Sequence, residues 1–189
     1  MDRVLSQLSA LYFDKGEIMM EIRRSTPDDL ASLMALFDEA RCTIAALGID
    51  QWQNGYPSRE IILADIKKAQ SYCVCVDGEV CGTFALIDDG EPTYDEIFDG
   101  RWLTGDGTAH YFAIHRVVIS VKCRGKGIAA SIISFCAKNA KMAGKISLRI
   151  DTHKGNVVMR RMLEKNGFVH GGTIYLENGD GRVAYEKIL

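Results

Sequence analysis

No apolar run in this 189-residue chain approaches the ~20 residues that a membrane-spanning helix needs, which excludes such a span. There is no basic surplus either. Twenty-three Lys and Arg face 25 Asp and Glu, a net charge of −2, so no global field draws in nucleic acid. The six cysteines (Cys42, Cys73, Cys75, Cys81, Cys123 and Cys136) contain no C-x-x-C pair, so zinc-ribbon spacing is missing and no metal site is expected. The N-terminus lacks the charged, apolar and small-residue order of a secretion signal. Together these absences lead to the expectation of a cytoplasmic, reduced protein that binds neither membrane nor nucleic acid.

What is present is ordinary globular material, 47% hydrophobic and 25% charged, with no repeat, linker or low-complexity segment. Residues 1–19 read as an accessory segment, with a weak helical stripe over Val4–Phe13 and Met19-Met20 as an alternative start. Residues 20–189 read as one domain. Glu21–Arg24 is a short strand. Thr26-Pro27-Asp28-Asp29 opens a helix with a cap, a proline and two acids. Leu30, Leu33, Met34, Phe37 and Ile44 share one side of it, and Gly48 closes it. A polar, aromatic loop follows (Gly48–Pro57), then a helix capped by Ser58. Tyr72–Val76 and Val80–Ile87 form a hairpin across Asp77-Gly78. Residues 88–107 make a long acidic excursion, of the kind that tends to carry function or to move. Strand Thr108–Ile119, helix Ile128–Ala143, strand Lys145–Asp151, helix Asn156–Asn166 and a closing hairpin (Phe168–Leu176, Val183–Ile188) complete the chain. This is an α/β order with an antiparallel first half and one β-α-β crossover.

The crossover carries the clearest signal. Val117–Ile119 is apolar strand, Arg124-Gly125-Lys126-Gly127 a basic glycine turn, and Ile128-Ala129 the start of an apolar helix. Backbone N–H groups and the positive end of a helix meet there, which suits a phosphate. A Walker A loop is excluded, because Gly127 and not Ser or Thr follows Lys126. A dinucleotide fingerprint is formally present at Gly125, Gly127 and Ala130, with Asp151 in the place of a ribose-binding acid. However, only about 60 residues follow the turn and they end in a hairpin, too few for a doubly wound sheet.

Arg124-Gly125-Lys126-Gly127-Ile128-Ala129 resembles the pyrophosphate motif (R/Q-x-x-G-x-G/A) of the GCN5-related N-acetyltransferase (GNAT) superfamily. Asn156, Met159, Leu163 and Gly167-Phe168 are similar to its second signature, and the element order from about Met20 to Leu189 matches too. The resemblance implies a mixed sheet, mostly antiparallel with one splayed parallel pair, and helices on both faces. It also implies acetyl-CoA as cofactor and direct acetyl transfer to an amine of a small molecule or protein. Its pyrophosphate would sit at Arg124–Ala129 and its pantetheine arm on main-chain groups of Val117–Ile119. A main-chain N–H of Val118 or Ile119 would serve the oxyanion, and Asn156 would bond the arm, or else only cap its helix. A non-catalytic acyl-CoA sensor of the same fold is the alternative, with a nicotinamide-dinucleotide protein behind it. The family's usual acid, a Tyr, is replaced by Leu163.

His115 is a candidate base, because period-two alternation puts it on the face of Val117 and Ile119; a plain hydrogen-bonded strand histidine is the other reading. Asp151 can hold an acceptor ammonium or accept a proton, or cap the following helix. Trp52, Tyr56 and Thr152 are candidate acceptor contacts, although loop aromatics also pack onto cores. Cys123 flanks the basic turn, either as a thiol activated by positive neighbours or as a small loop residue. The acceptor is otherwise unidentified, and the reading leaves room for a homodimer.

Overall fold

The computed structural model describes residues 10–14, 19–105, 107 and 110–189. Their strands join one eight-stranded sheet in the order β1-β2-β3-β4-β5-β6-β8-β7. The strands are β1 (Ala10–Asp14), β2 (Met19–Arg24), β3 (Ser71–Val76), β4 (Glu79–Ile87), β5 (Tyr111–Ile119), β6 (Ser147–Thr152), β7 (Val169–Tyr175) and β8 (Gly181–Ile188). Every neighbouring pair is antiparallel except β5 and β6. A single parallel pair cannot make the doubly wound sheet of a dinucleotide fold, so that reading falls.

The helices are α1 (Leu30–Ala45), α2 (Arg59–Lys67), α3 (Ile128–Met142) and α4 (Val157–Lys165). Local chemistry explains their starts. Pro27–Asp29 forms a 3₁₀ turn ahead of α1, and the Asp29 carboxylate accepts from the Thr26 N–H at 2.7 Å and binds Arg23 at 2.7 Å. Ser58 caps α2 by accepting from the Ile61 N–H. Gly48 takes a left-handed φ of +69° just beyond α1, as a helix-ending glycine should.

The two sheet faces are covered differently. On one, α3 and α4 bury Ile132, Phe135, Cys136 and Leu163 against Tyr72, Phe84, Ile114 and Leu148. On the other, α1 and α2 bury Leu33, Phe37 and Ile62 against Cys73, Cys75 and Val118. Further along that second face the 88–107 excursion packs Tyr94 and Trp102 onto Ala85, Tyr111, Ala113 and Ala184.

A buried polar knot fastens the excursion. Glu186, fully buried on β8, accepts from Ser147 Oγ (2.7 Å), Thr104 Oγ1 (2.6 Å), Arg149 Nε (3.0 Å) and the Leu103 and Thr104 N–H groups. The Arg149 guanidinium lies 4.1 Å from both the Trp102 and Tyr111 ring centres and donates to the Gly105 carbonyl at 2.5 Å. Burial would push the Glu186 carboxyl up, yet these donors hold it below its usual value.

Two expectations need correction. Ala10–Phe13 is strand, paired with β2 from Ala10↔Arg23 to Asp14↔Met19, and not part of a helical stripe. The rest of that stripe lies outside the described residues. The sheet edge offered by β2 overrides weak local periodicity. Cys123 is neither exposed nor a free thiol: it is buried and joined in a disulfide to Cys81 of β4. The Gly82↔Ile119 pairing sets Cys81 beside the chain entering the glycine turn, which brings the two sulfurs together. The other four cysteines are free thiols.

Candidate active site

The site begins with an irregularity in β5. Thr83 pairs with Val118, but Ala85 pairs with His115, so Arg116 and Val117 together face Phe84. This is a β-bulge, and Arg116 sits in it with φ +54°. An arginine tolerates that conformation poorly on its own. Here Asp65 of α2 clamps its guanidinium at 2.7 and 2.9 Å, and Tyr56 Oη accepts from it at 2.8 Å.

The bulge also parts the parallel strands. β5 and β6 pair only from Tyr111↔Ser147 to Ala113↔Arg149. Beyond Ala113 they diverge, and a cavity of about 1120 Å³ opens between them, lined by Ile114–Ile119 on one side and Ile150–Thr152 on the other. It exceeds the ~300–1,000 Å³ usual for one small ligand, and is large enough for two reactants end to end.

One end of the cavity is the glycine turn. Arg124, Gly125, Gly127, Ile128 and Ala129 line it, while exposed Lys126 does not. Gly125 and Gly127 have φ of +80° and +77°. Those left-handed values are available to glycine without a steric penalty. Gly127, the N-cap of α3, has no side chain to cap it, and among the described residues no other side chain accepts from that helix start. Its first N–H groups are therefore left for a ligand, in a geometry that holds phosphate. Asn156 lines the cavity, but its Oδ1 accepts from the Met159 N–H at 3.1 Å and caps α4. The capping reading is thus fulfilled, and only the Nδ2 side remains for an arm. Leu163, where the resemblance puts an acid, is wholly buried in the core.

The other end is polar and aromatic. Trp52 packs edge-on against Phe37 (5.8 Å) and lies 6.4 Å from Tyr56, so these loop aromatics both pack and line the cavity. His115, Asp151 and Thr152 line it as well. The excursion brings partners that single-strand reasoning could not reach. Glu91 Oε2 lies 3.1 Å from His115 Nε2, an oblique approach and not an aligned hydrogen bond. Glu91 Oε1 accepts from Thr93 Oγ1 at 2.9 Å. The Tyr94 ring stacks on His115 with centres 5.8 Å apart, and its hydroxyl donates to Asp151 Oδ1 at 2.8 Å.

The charge states follow. Burial works to raise the Glu91 carboxyl, but His115 and Thr93 outweigh it and hold the group down at about 2. Glu91 is therefore a carboxylate at any ordinary pH. Tyr94 is pushed well above its usual value by burial first and by the Asp151 charge second, so it stays a neutral donor. Glu91 and Tyr94 were not among the residues singled out from sequence. The sequence marks them no further than by the acidic excursion that contains them.

Comparison with known proteins bears on this geometry. A model of the Acetyltransferase (GNAT) family matches residues 33–168. A solved GNAT-family acetyltransferase from Streptococcus agalactiae is 35% identical, with a TM-score of 0.83 over 95% of this chain and 99% of that one. The PaiA N-acetyltransferase of Thermoplasma acidophilum, solved with coenzyme A, is 20% identical, with a TM-score of 0.67 over 90% of this chain and 99% of that one. YncA of Salmonella typhimurium, solved with its cofactor acetyl-CoA, is 18% identical, with a TM-score of 0.64 over 90% of this chain and 94% of that one. The comparison with curated proteins finds no match. The family match spans more than half of the chain and agrees with the parted strands and the glycine turn: the chain belongs to the GNAT acetyltransferase family.

Proposed function

We propose that the chain is an acetyl-CoA-dependent N-acetyltransferase that transfers the acetyl group directly to a primary amine of a small molecule or protein. The observation that carries the reading is the cavity itself. It joins an uncapped helix start, just after two left-handed glycines, to a carboxylate–histidine pair through the gap between β5 and β6. Two relatives of the same fold are solved with coenzyme A or acetyl-CoA, which supports that assignment of the phosphate end.

Acetyl-CoA, when bound, supplies an activated acetyl thioester. The α3 N-terminus and Arg124 would hold its pyrophosphate, and main-chain groups of Val117–Ile119 its arm. A main-chain N–H of Val118 or Ile119 would face the carbonyl oxygen, where negative charge develops. The acceptor arrives as an ammonium and must lose a proton before it can attack. His115 is placed to take that proton, with the Glu91 carboxylate stabilising the imidazolium. Asp151, oriented by the Tyr94 hydroxyl, is placed to hold the ammonium. Trp52, Tyr56 and Thr152 wall the acceptor end.

Thiol release from acetyl-CoA, followed across a library of amines with mass detection of the acetylated product, tests this. The reading expects release that depends on an amine. Tight acetyl-CoA binding with no release from any amine would favour an acyl-CoA sensor, for which the buried Leu163 at the usual acid position is the supporting observation.

A further inference from the structure

Among the described residues, three arginines on the second face of the sheet have nearly all of the side chain buried, and two of them are matched. Arg116 has Asp65 at 2.7 Å and Arg149 has Glu186 at 3.0 Å. The third, Arg182 on β8, has only 8% of its side chain exposed. Its contacts are of another order. One nitrogen donates to the carbonyl of its own neighbour, Gly181, at 3.2 Å. Another lies 3.5 Å from Asp180 Oδ2, too far for a good charge-assisted hydrogen bond. Asp180 is itself half exposed and is held by Asn178, which donates to the same oxygen at 3.0 Å. A guanidinium offers five donors, and burying it without an anion is costly.

Arg182 lines the same cavity as Asp151 and His115. Asp151 of β6 pairs with Ala184 of β8, and Arg182 is two positions further along that strand. Period-two alternation puts it on the face of Ala184 and Asp151. With strands ~4.8 Å apart and ~3.4 Å per residue, its Cα is about 8 Å from that of Asp151. Two side chains reaching in from that separation bracket a molecule a few bonds long. The positive charge of Arg182 is also felt at His153, which burial, then Arg182 and Lys154, push below its usual value.

We infer that Arg182 receives an anionic group of the acceptor, so that the acceptor is a small zwitterion of the amino-acid class, its carboxylate on Arg182 and its ammonium between Asp151 and the Glu91–His115 pair. The inference rests on the N-acetyltransferase reading. Cation at one end and carboxylates at the other match both ends of such a molecule. A diamine would set like charge against Arg182, and an amide would leave the guanidinium unmatched.

The test uses thiol release with acetyl-CoA and matched pairs: free amino acids against their carboxamides, with diamines and short peptides alongside. Acetyl-CoA thermal shift is read on every variant. We expect a carboxylate acceptor whose kcat/KM exceeds that of its carboxamide by about ten- to a hundred-fold, the worth of a hydrogen bond to a charged group. Arg182→Gln should erase that ratio by raising KM for the carboxylate, with kcat and the acetyl-CoA shift retained. Asp180→Asn should act oppositely and lower KM for the carboxylate alone, because it removes the competing anion. A merely structural Arg182 predicts neither result. Equal rates for acid and amide, or a diamine or peptide as the best acceptor, overturn the inference while leaving N-acetylation standing. An acetyl-CoA shift with no release from any amine overturns both.

Discussion

Glu91→Gln keeps the size of the side chain and removes its charge. In the folded protein the carboxyl is held at about 2 against a usual 4.5, a difference of about 2.5 in pKa. At about 1.36 kcal/mol per pKa unit, that difference contributes ~3 kcal/mol to stability. The folded pKa is depressed, so this contribution is fully present above pH 4.5. It is lost as pH falls through the interval from 4.5 towards 2. By pH 3, the same two pKa values leave roughly half of it, ~1.4 kcal/mol. The amide oxygen of the variant would still accept from Thr93, which makes these figures upper estimates. The assay is urea unfolding of both proteins at pH 7 and pH 3, compared as the difference between them. The gap should shrink about two-fold on acidification, because wild type loses what the variant never had. A gap equal at both pH values, or growing at pH 3, would refute the Glu91–His115 pairing on which the mechanism rests. Turnover should fall as well, by up to ~10²-fold if the carboxylate stabilises the imidazolium.

Glu186→Gln should destabilise the protein by ~3–5 kcal/mol, because it leaves the buried Arg149 guanidinium without its counterion; a chemical-denaturation loss under about 1 kcal/mol would contradict the polar knot. Since that knot also holds Leu103 to Gly105, the variant's acceptor KM should rise more than its acetyl-CoA affinity falls. His115→Ala should reduce kcat and remove the corresponding limb of the pH–rate profile without weakening acetyl-CoA binding, and an unchanged profile would remove His115 from proton transfer.

The element order and the glycine turn were legible because each rests on local chemistry. Caps at Thr26 and Ser58, the Asp77-Gly78 hairpin turn, and Gly125 and Gly127 before an apolar helix all act within a few residues. The splay of β5 from β6 came only with the family resemblance. Its cause is the bulge at Arg116, where the partner's register, and not the residue's own preference, sets a φ of +54°. The pairing of Glu91 with His115 joins residues 24 apart, and the contact of Tyr94 with Asp151 joins residues 57 apart. Neither has a periodic signal, because both depend on how the excursion is tied down by Arg149 and Glu186. Cys81 lies within the Val80–Ile87 strand run and Cys123 beside the basic turn, with nothing local to link them. The sheet register, invisible in sequence, is what joins them. Asn156 shows the converse. Its local role as a helix cap was readable, and the structure displays that role directly.

In the proposed function, the uncapped start of α3, beside Gly125 and Gly127, holds the pyrophosphate of acetyl-CoA. The most direct measurement is thermal unfolding of wild type and Gly127→Val with acetyl-CoA, CoA, NAD or NADP at about 100-fold excess over the dissociation constant. Wild type should gain ~2.7 kcal/mol from acetyl-CoA and CoA, a rise of roughly 5–10 °C. NAD and NADP should produce none. Gly127→Val should melt lower without ligand, because a β-branched residue is strained at φ +77°, and should show no acetyl-CoA shift. A wild-type shift with NAD and not with acetyl-CoA, or a full acetyl-CoA shift retained in Gly127→Val, would contradict the account.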